Sequence, residues 1–211
     1  MVPKPTLIYH ITDASNLRLI LENDGLYCIN AMREDNRPHK NIAYEHIQDR
    51  RSRTRVPINP YGTLHDYVPF YFAPRSPMLY TIDKGNVPGY IGGQKSIIYL
   101  VSLIEFVDGK RPWVFTDGHG TMAFTNYYND LNFLDEIDWD VMDSKYWYDT
   151  SDDPDRKRRR QAEFLVHRYF PLSLVQGIGV YDSQVELYVK QMFKGTNFEI
   201  PVKIVYPAWY Y

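Results

Sequence analysis

Three separated segments of the sequence hold side chains that could perform chemistry. His10 lies in the segment IYHIT, Tyr71 in PFYFAPRSPMLY and Glu163 in RRQAEFLV. A carboxylate such as that of Glu163 can stabilise developing positive charge, while an imidazole and an aromatic ring can hold a polar ligand beside it. Taken singly, each also fits an ordinary role: a hydrogen-bonded core histidine, a packing tyrosine and a glutamate paired with a neighbouring arginine. Their chemistry therefore depends on a fold that brings them together.

Several familiar catalytic signatures are absent from the sequence. The segment GNVPGYIGGQK lacks the Gly-Lys-Ser/Thr ending of a phosphate-binding loop and indicates a turn. There is no Gly-x-Ser-x-Gly elbow. The six histidines are dispersed without i, i+4 pairing, and the single cysteine, Cys28, excludes a disulfide framework and a cysteine-based zinc site. We therefore expect no metal.

Local patterns predict the elements that position the first of these residues. Residues 6–12 are β-branched and aromatic, which predicts a strand. A helix should follow, capped by Asp13 and ended by Gly25 in a left-handed conformation. Residues 30–66 are polar, contain several prolines and include a short predicted helix over 42–53. This segment is expected to be a long functional insert or a mobile loop.

The second half of the chain alternates short strands with turns. Further elements are predicted as strands at 68–73, 96–103, 113–116 and 201–206, and as a helix at 183–194. The segment QAEFLV at 161–166 fits a helix or a strand by its pattern. Because the strands and helices mix irregularly without a βαβ rhythm, the sequence predicts a single α+β domain over residues 1–211.

Charge is segregated into blocks. Residues 130–155 contain a long run of acidic residues with Lys145 as the only cation, and residues 156–160 read RKRRR. Such an abrupt change of sign is typical of a solvated surface loop. A second basic cluster consists of Arg50, Arg51, Arg53 and Arg55. If the fold brings both clusters to one site, a chain that is nearly neutral acquires a basic groove.

The composition narrows the class of protein. The chain has 211 residues, a net charge of -2, 44% hydrophobic and 24% charged residues, which excludes disorder, collagen, coiled coil and a uniformly basic nucleic-acid coat protein. No apolar run approaches the roughly 20 residues of a membrane span, and the N-terminus is too short in apolar residues for a signal peptide. We expect a cytoplasmic protein. Its 19 tyrosines, 10 phenylalanines and 4 tryptophans suit binding surfaces.

Together and in this order, the three segments resemble the histidine, tyrosine and glutamate triad of PARP-like ADP-ribosyltransferases. The surrounding residues match as well: His10 and Thr12 on the first strand, a helix with an Asn-Leu-x-x-Ile-Leu pattern that ends in Gly-Leu, and Tyr-Phe-Ala followed by a serine and an aromatic. The resemblance implies that superfamily's fold, with mixed central β-sheets and flanking helices. It also implies NAD+ binding by His10, Thr12, Asn16, Leu17, Arg51, Tyr71, Ser76 and Tyr80.

A closer resemblance is to the DarT family, DNA ADP-ribosyltransferase toxins that modify thymidine in single-stranded DNA. It covers essentially the whole chain and is carried by NIAYEHIQDRR (41–51), GTLHDYVPFYFAPRSPMLY (62–80), FTDGHG (115–120) and QAEFLV (161–166). This resemblance implies that Arg51 and Glu163 are the catalytic pair and that NAD+ is the co-substrate. It also implies a partner, an antitoxin with a macrodomain that removes the modification. The protein is expected to act as a monomer without a membrane partner.

Two roles stay open for Arg51, which suits either a developing anionic thymine or the NAD+ pyrophosphate. Glu163 should stabilise the oxocarbenium-like transition state, and whether it also takes the thymine proton stays open. The resemblance makes 30–66 a segment that contacts DNA and NAD+, and 130–160 a target-recognition loop. Expected DNA contacts are Arg50, Arg53, Arg55, His119, Tyr146, Trp147, Tyr148 and Arg159, with base stacking by Trp147 or Tyr148.

Two alternatives remain at this stage. The chain could transfer ADP-ribose to RNA or protein, because only the acceptor would differ. It could also be a non-catalytic nucleic-acid-binding module with the same fold. Glu163 argues against the latter, because a binder has no need for a carboxylate between basic residues.

Overall fold

An eight-stranded mixed sheet forms the centre of the computed structural model, which describes residues 1–37 and 39–211. Pro38, in the polar segment 30–66, lies outside the described residues. The strands are β1 (Leu7–Asp13), β2 (Gly25–Tyr27), β3 (Tyr67–Tyr71), β4 (Ile97–Leu103), β5 (Trp113–Thr116), β6 (Tyr127–Tyr128), β7 (Glu163–His167), β8 (Tyr169–Pro171), β9 (Gly177–Val180) and β10 (Val202–Ile204).

The strand order is β10-β9-β4-β1-β3-β7-β5-β6, with β2 and β8 in a separate two-stranded sheet. All neighbours in the large sheet pair antiparallel except β9 and β10. The helices are α1 (Leu17–Glu22), α2 (Ile29–Glu34), α3 (Glu45–Arg53), α4 (Pro77–Asp83), α5 (Ile104–Val107), α6 (Trp139–Asp143), α7 (Arg156–Arg159) and α8 (Ser183–Met192). None of the helices in the described ranges is long and apolar enough to cross a membrane. The α+β prediction is confirmed.

The large sheet is covered on both faces because its central strands are apolar at successive positions. In β4, Ile98 and Leu100 enter one core, while Ile97, Tyr99 and Val101 enter the other. Side chains alternate between the two faces of a strand, so a continuous apolar run requires burial on both. The central strands β1, β3 and β7 therefore form a rigid platform for the residues at their ends.

The predicted elements occur with shifts of at most three residues at their ends, and 161–166 contains a strand rather than a helix. The stop predicted at Gly25 is wrong. Asp24 takes the left-handed conformation at φ 54°, and Gly25 already belongs to β2. A Cβ at Gly25 would lie 2.3 Å from the Phe170 carbonyl oxygen. Glycine is needed there for the close approach of β2 to β8.

The acidic-to-basic segment is also more structured than the predicted solvated loop. It forms α6 and α7, and Trp139, Val141 and Met142 are buried. Arg160 is buried too, and its guanidinium donates to the carbonyls of Val141 at 2.7 Å and Pro74 at 2.6 Å. Apolar anchors and this arginine fasten the segment to the body of the protein.

Candidate active site

The residues predicted to be catalytic form a buried ion pair. Glu163 is the first residue of β7, and Arg51 lies in the last turn of α3. Arg51 Nη1 lies 2.7 Å from Glu163 Oε1, and their side chains are only 9% and 4% exposed. Buried charges persist when they are paired and hydrogen-bonded, and in the dry interior their electrostatic effect on a bound ligand is strong.

The turn after β5 completes the surroundings of the Glu163 carboxylate. The backbone N–H of Gly120 donates to Glu163 Oε2 at 3.3 Å. A Cβ at Gly120 would lie 2.9 Å from that same oxygen and 3.2 Å from Leu64 Cδ1. The glycine of the FTDGHG segment therefore allows the backbone to approach the carboxylate closely.

Adjacent arginines Arg50 and Arg51 face different surroundings. Arg51 is 7% exposed, and its second guanidinium nitrogen, Nη2, is buried without a hydrogen-bond partner among the described residues. Arg50 is exposed and donates to the Thr121 carbonyl at 3.2 Å. A buried unpaired donor is costly, so Nη2 is a strong candidate to receive an acceptor atom from a ligand.

His10 and Tyr71 occupy neighbouring strands beside the carboxylate. His10 Nδ1 lies 2.8 Å from the Pro69 carbonyl and donates to it, which leaves Nε2 as the acceptor. Burial lowers the pKa of His10, although the bond to Pro69 opposes this, so the ring is neutral at pH 7. Tyr71 pairs with Glu163 in the strand register, and burial followed by the charge of Glu163 raises its pKa.

His119 lies on the other side of the ion pair. Its Nδ1 accepts from the Thr121 backbone N–H at 3.2 Å, so a neutral ring carries its proton on Nε2. Burial lowers the pKa of His119, with Glu163 opposing this and the charges of Arg51 and Arg50 reinforcing it. At pH 7 the imidazole is therefore a neutral hydrogen-bond donor.

Asn16, just before α1, forms hydrogen bonds with Lys40, which lines the cavity described below. The Asn16 side-chain amide accepts from Lys40 N at 2.8 Å and donates to Lys40 O at 2.9 Å. Asn16 also donates to Thr12 Oγ1 at 3.0 Å. The Lys40 ammonium lies 2.7 Å from Asp13 Oδ2, which also accepts from the Tyr90 hydroxyl at 2.8 Å. The side-chain amide of Asn16, which was predicted to bind the cofactor, is thus hydrogen-bonded to the backbone of Lys40.

A cavity of about 610 Å³ joins these groups. This volume suits a drug-sized or cofactor-sized ligand. The predicted site residues that line it are His10, Thr12, Asn16, Arg50, Arg51, Tyr71, His119 and Glu163. The three separated segments of the sequence thus meet at one site.

Three residues predicted to contact the cofactor do not line this cavity. Leu17 has no exposed surface and packs in the core. Ser76 is buried and accepts from Leu79 N as the cap of α4. Tyr80 lies outside the cavity, with its ring edge against Trp147 and Tyr211. The predicted serine and aromatic follow one another on a helix, whose period turns Tyr80 away from the site.

Six of the eight residues predicted to contact DNA do not line the cavity. Arg53, Arg55, Tyr146 and Tyr148 are exposed, and Arg53 pairs with Asp49 at 2.5 Å. Trp147 is half-buried, and its indole N–H donates to the Tyr211 hydroxyl at 2.7 Å.

Arg159 pairs with Asp138 and Asp153. Arg158 pairs with Asp117 at 2.9 Å and Asp155 at 2.7 Å. Arg158 lines the cavity, but its charge and that of Arg159 are balanced by these carboxylates. Lys157 is the exposed cation of this segment that lines the cavity.

Sequence reasoning missed part of the cavity wall. On α3, Gln48 lines the cavity three residues before the predicted Arg51, a helical spacing that was available in the sequence. On α4, Met78 and Thr81 line it rather than Ser76 and Tyr80. Within the described ranges, no group of three or more histidine, cysteine or acidic side chains is arranged to hold a metal ion.

Comparison with known proteins connects this site to an activity. The sequence model of the family described as "ssDNA thymidine ADP-ribosyltransferase, DarT" matches residues 9–211. A DNA ADP-ribosyl transferase of Thermus sp. (strain 2.9) is 42% identical over 211 residues, 99% of this chain and 98% of the relative. A more distant Thermosipho africanus protein, 26% identical over 205 residues, is named a DNA ADP-ribosyl transferase-DNA ADP-ribosyl glycohydrolase fusion protein; the match covers 96% of this chain and 49% of that protein.

Solved structures agree with this assignment. Thermus sp. 2.9 DarT in complex with ADP-ribosylated ssDNA superposes with a TM-score of 0.93 at 41% identity, covering 100% of this chain and 99% of the other. The same protein in complex with NAD+ gives a TM-score of 0.89 at 38% identity, with complete coverage of both chains. The ADP-ribosyltransferase fold expected from the sequence is confirmed, and the chain belongs to the DarT family of single-stranded DNA thymidine ADP-ribosyltransferases.

Proposed function

We propose that this chain transfers one ADP-ribose from NAD+ to thymidine bases in single-stranded DNA, as the toxin of a toxin–antitoxin pair. The observation that carries the proposal is the buried Arg51–Glu163 pair at the wall of a cavity of about 610 Å³, in which Arg51 Nη2 has no hydrogen-bond partner among residues 1–37 and 39–211. The family membership supplies the reaction type, and the pair supplies the groups that perform it.

In this reaction the bond between the ribose C1 atom and the nicotinamide nitrogen breaks. A bond forms from the same carbon to a ring nitrogen of thymine, nicotinamide leaves, and the proton of that ring nitrogen is lost. The transition state carries positive charge at the anomeric carbon, as in glycoside cleavage. The Glu163 carboxylate, held by Arg51 Nη1 and Gly120 N, is positioned to stabilise that charge.

Arg51 is assigned to the acceptor base rather than to the NAD+ pyrophosphate. It contacts the carboxylate that serves the anomeric carbon at 2.7 Å, so we expect the incoming base to approach its remaining donor. Nη2 can donate to a thymine carbonyl and stabilise the negative charge that develops as the ring nitrogen loses its proton. The pyrophosphate lies farther along the NAD+ molecule from the anomeric carbon.

Glu163 is also assigned the thymine proton. His119 is the other candidate base, but its Nδ1 accepts from Thr121 N, so the neutral ring presents a proton on Nε2 and acts as a donor. A donor at this position can orient a carbonyl of the thymine ring. The carboxylate is therefore the acceptor of choice within the site.

NAD+ should be bound by His10 and Tyr71 on the strands and by the segment around Lys40. His10 Nε2 is free to accept from a ribose hydroxyl, and Tyr71 offers a ring beside Glu163 for nicotinamide. Asn16 acts indirectly, since it fixes Lys40 over the cavity. Arg50 and Lys157 supply the nearest exposed cations for DNA phosphates.

The partner is proposed to be a macrodomain antitoxin that removes the modification. The Thermosipho africanus fusion protein, whose name combines a transferase with a DNA ADP-ribosyl glycohydrolase, supports a functional link between the two activities. Since the reaction consumes NAD+ and DNA, we place it in the cytoplasm. Co-expression with such a glycohydrolase should restore growth of cells that are arrested by the transferase alone.

The direct test is incubation with NAD+ and a set of acceptors, analysed by mass spectrometry. We expect thymine-containing single-stranded oligonucleotides to gain the mass of one ADP-ribose, and oligonucleotides without thymine, RNA and protein to gain none. Glu163→Gln keeps the size of the side chain and removes its charge, so it should abolish the product. Absence of any ADP-ribosylated oligonucleotide with the wild-type protein would refute the proposal, and modification of RNA or protein alone would redirect it.

A further inference from the structure

Phe124 is an exposed aromatic residue next to the active site, and the catalytic groups do not use it. Its exposure is 84%, and the adjacent Ala123 and Met122 are exposed as well, Met122 by 42%. Single exposed apolar residues are common, whereas three in succession at the rim of a ligand cavity indicate a contact surface. Met122 itself lines the cavity, so the apolar surface is continuous with the site.

The loop that carries Phe124 is fixed at both ends. Thr125 is buried, its hydroxyl donates to the His119 carbonyl at 2.8 Å, and its backbone N–H donates to Met122 O at 3.1 Å. Asn126 N donates to Asp117 Oδ1 at 3.0 Å. Because Thr125 points inward, its neighbour Phe124 is turned outward on an ordered loop. The exposed ring is thus presented by the fold and is not the end of a loose segment.

The position of this loop relative to the chemistry limits what Phe124 can touch. Gly120 donates to the Glu163 carboxylate, and Phe124 follows four residues later, so the two residues are separated by at most about 14 Å. Arg50 joins α3 to the same loop through the Thr121 carbonyl at 3.2 Å. A cation from α3 therefore contacts the loop that carries the exposed ring, and the same loop donates to the Glu163 carboxylate.

We infer that Phe124 is the stacking surface for a base that neighbours the target thymine, with Arg50 contacting the adjacent phosphate. This inference rests on the proposed function. A ring that stacks on bases without hydrogen bonds suits a single strand, because every base has a π face, and the phosphates beside it require a cation. The exposed Phe124 ring and the Arg50 guanidinium, which contacts the same loop, meet these two requirements.

The first experiment compares substitutions at Phe124 by kcat/KM for a short oligonucleotide containing one thymine. Phe124→Ala and Phe124→Leu should each lower it by about 5- to 150-fold, because both remove the ring. Phe124→Trp should stay within about threefold of wild type. The dissociation constant of NAD+ should not change, and thermal melting should show all variants folded. Phe106→Ala, at a 38% exposed phenylalanine on α5 away from the cavity, is the matched control.

The second experiment locates the stacked base. Single abasic sites are placed at each of the three positions on either side of the thymine. With the wild-type protein, an abasic site at one of these positions should lower kcat/KM about as much as Phe124→Ala does. With Phe124→Ala, an abasic site at that position should cost nothing further, because the same contact is already lost.

The outcomes separate the two levels of the argument. If wild type makes no modified oligonucleotide, the proposed function fails. If wild type is active and Phe124→Ala stays within twofold of it, or if Phe124→Leu retains full activity, the stacking role is overturned. The same holds if the abasic penalties are identical in wild type and Phe124→Ala.

Discussion

Two arginine-rich segments flank the active site, one at the end of α3 and one in α7, and they are used in opposite ways. In α7, Arg158 and Arg159 are paired with Asp117, Asp155, Asp138 and Asp153, and the following Arg160 holds backbone carbonyls. In the described part of α3 and its surroundings, Arg51 keeps one guanidinium nitrogen without a partner, and the Arg50 guanidinium contacts Thr121 and Met122 of the loop after β5. The α7 segment is therefore a structural clamp, whereas the α3 segment is available to ligands.

The difference lies in where the carboxylates are. A run of positive residues acts as a binding surface only when its charges are not already neutralised by the fold. The acidic run before α7 supplies most of the neutralising groups, and Asp117 arrives from the β5–β6 connection. No similar acidic run packs on α3 within the described residues, where Asp49 pairs with Arg53 and Glu163 with Arg51.

The largest effect is expected at Arg51. Arg51→Gln and Arg51→Lys should each lower kcat/KM for DNA by about 10²- to 10³-fold, the usual loss when one transition-state donor is removed. The lysine should fail because a single ammonium cannot hold Glu163 and also present the second planar donor. Steady-state kinetics with NAD+ and an oligonucleotide measure this, with Arg50→Gln as control at less than tenfold. A lysine variant with near wild-type activity would contradict the role assigned to Nη2.

The second effect concerns Arg160, which follows α7, and it should appear in the free energy of unfolding. Arg160→Met removes the donors that satisfy the carbonyls of Val141 and Pro74, so the free energy of unfolding should fall by about 3 kcal/mol. Urea denaturation measures the loss. Arg53→Met, at a side chain that is 76% exposed, should change the free energy of unfolding by less than about 0.5 kcal/mol. Equal losses of unfolding free energy in the two variants would show that the hydrogen bonds of Arg160 to backbone carbonyls do not stabilise the fold.

The third effect is a pH dependence of the free energy of unfolding, caused by His65, which contacts α3. His65 is buried, and Nε2 contacts Gln48 Oε1 on α3 at 2.9 Å. Burial, followed by the charges of Arg33 and Arg51, lowers the pKa of His65 to about 4. Between this value and about 6.5 the unfolded chain binds more protons, so stability falls as the pH drops through that window, by about 2–3 kcal/mol at pH 4.

A matched pair of variants isolates the contribution of His65. His65→Gln should show a smaller loss of unfolding free energy between pH 7 and pH 4, because the buried titrating group is gone. His46→Gln, at an exposed histidine of α3, should follow the wild-type curve. Urea denaturation at several pH values provides the comparison, and parallel curves for wild type and His65→Gln would rule out this source of acid sensitivity.

Much of the fold and the centre of the site could be predicted from the sequence. Periodicity placed β1, β5 and α3 closely, because their residues carry strong local signals. His10, Arg51 and Glu163 were identified because the motifs around them are short and contiguous, even though 112 residues separate the last two. What failed required tertiary information. The residues after β3 form a helix on which Met78 and Thr81 line the cavity and Tyr80 does not, and the local pattern did not indicate this.

The α7 arginines show the same limit. From the sequence alone, RKRRR appears as available positive charge, and nothing local shows that Asp117, 41 residues away, pairs with Arg158. Phe124 was missed for the converse reason, since an apolar residue in a loop is expected to be buried and only the structure shows its ring in solvent. Charge balance and exposure are properties of the packed chain rather than of its segments.

The smallest effect compares the two segments directly through the salt dependence of DNA binding. A cation that contacts a phosphate contributes about one unit to the slope of log affinity against log salt. Arg50→Ala should therefore reduce that slope by about one and weaken binding severalfold at low salt. Arg159→Ala should leave the slope unchanged, because its charge is already balanced by Asp138 and Asp153.

Fluorescence anisotropy with a labelled thymine-containing oligonucleotide, measured between 50 and 200 mM salt, separates these two outcomes. Using the catalytically impaired Glu163→Gln background keeps the oligonucleotide unmodified during the titration. If Arg159→Ala lowers the slope as much as Arg50→Ala, Arg159 must leave its carboxylate partners and contact a phosphate when DNA binds. The α7 segment would then bind DNA rather than act only as a structural clamp. If neither changes the slope, the phosphates follow another path, and Lys157 on the cavity wall is the next residue to replace.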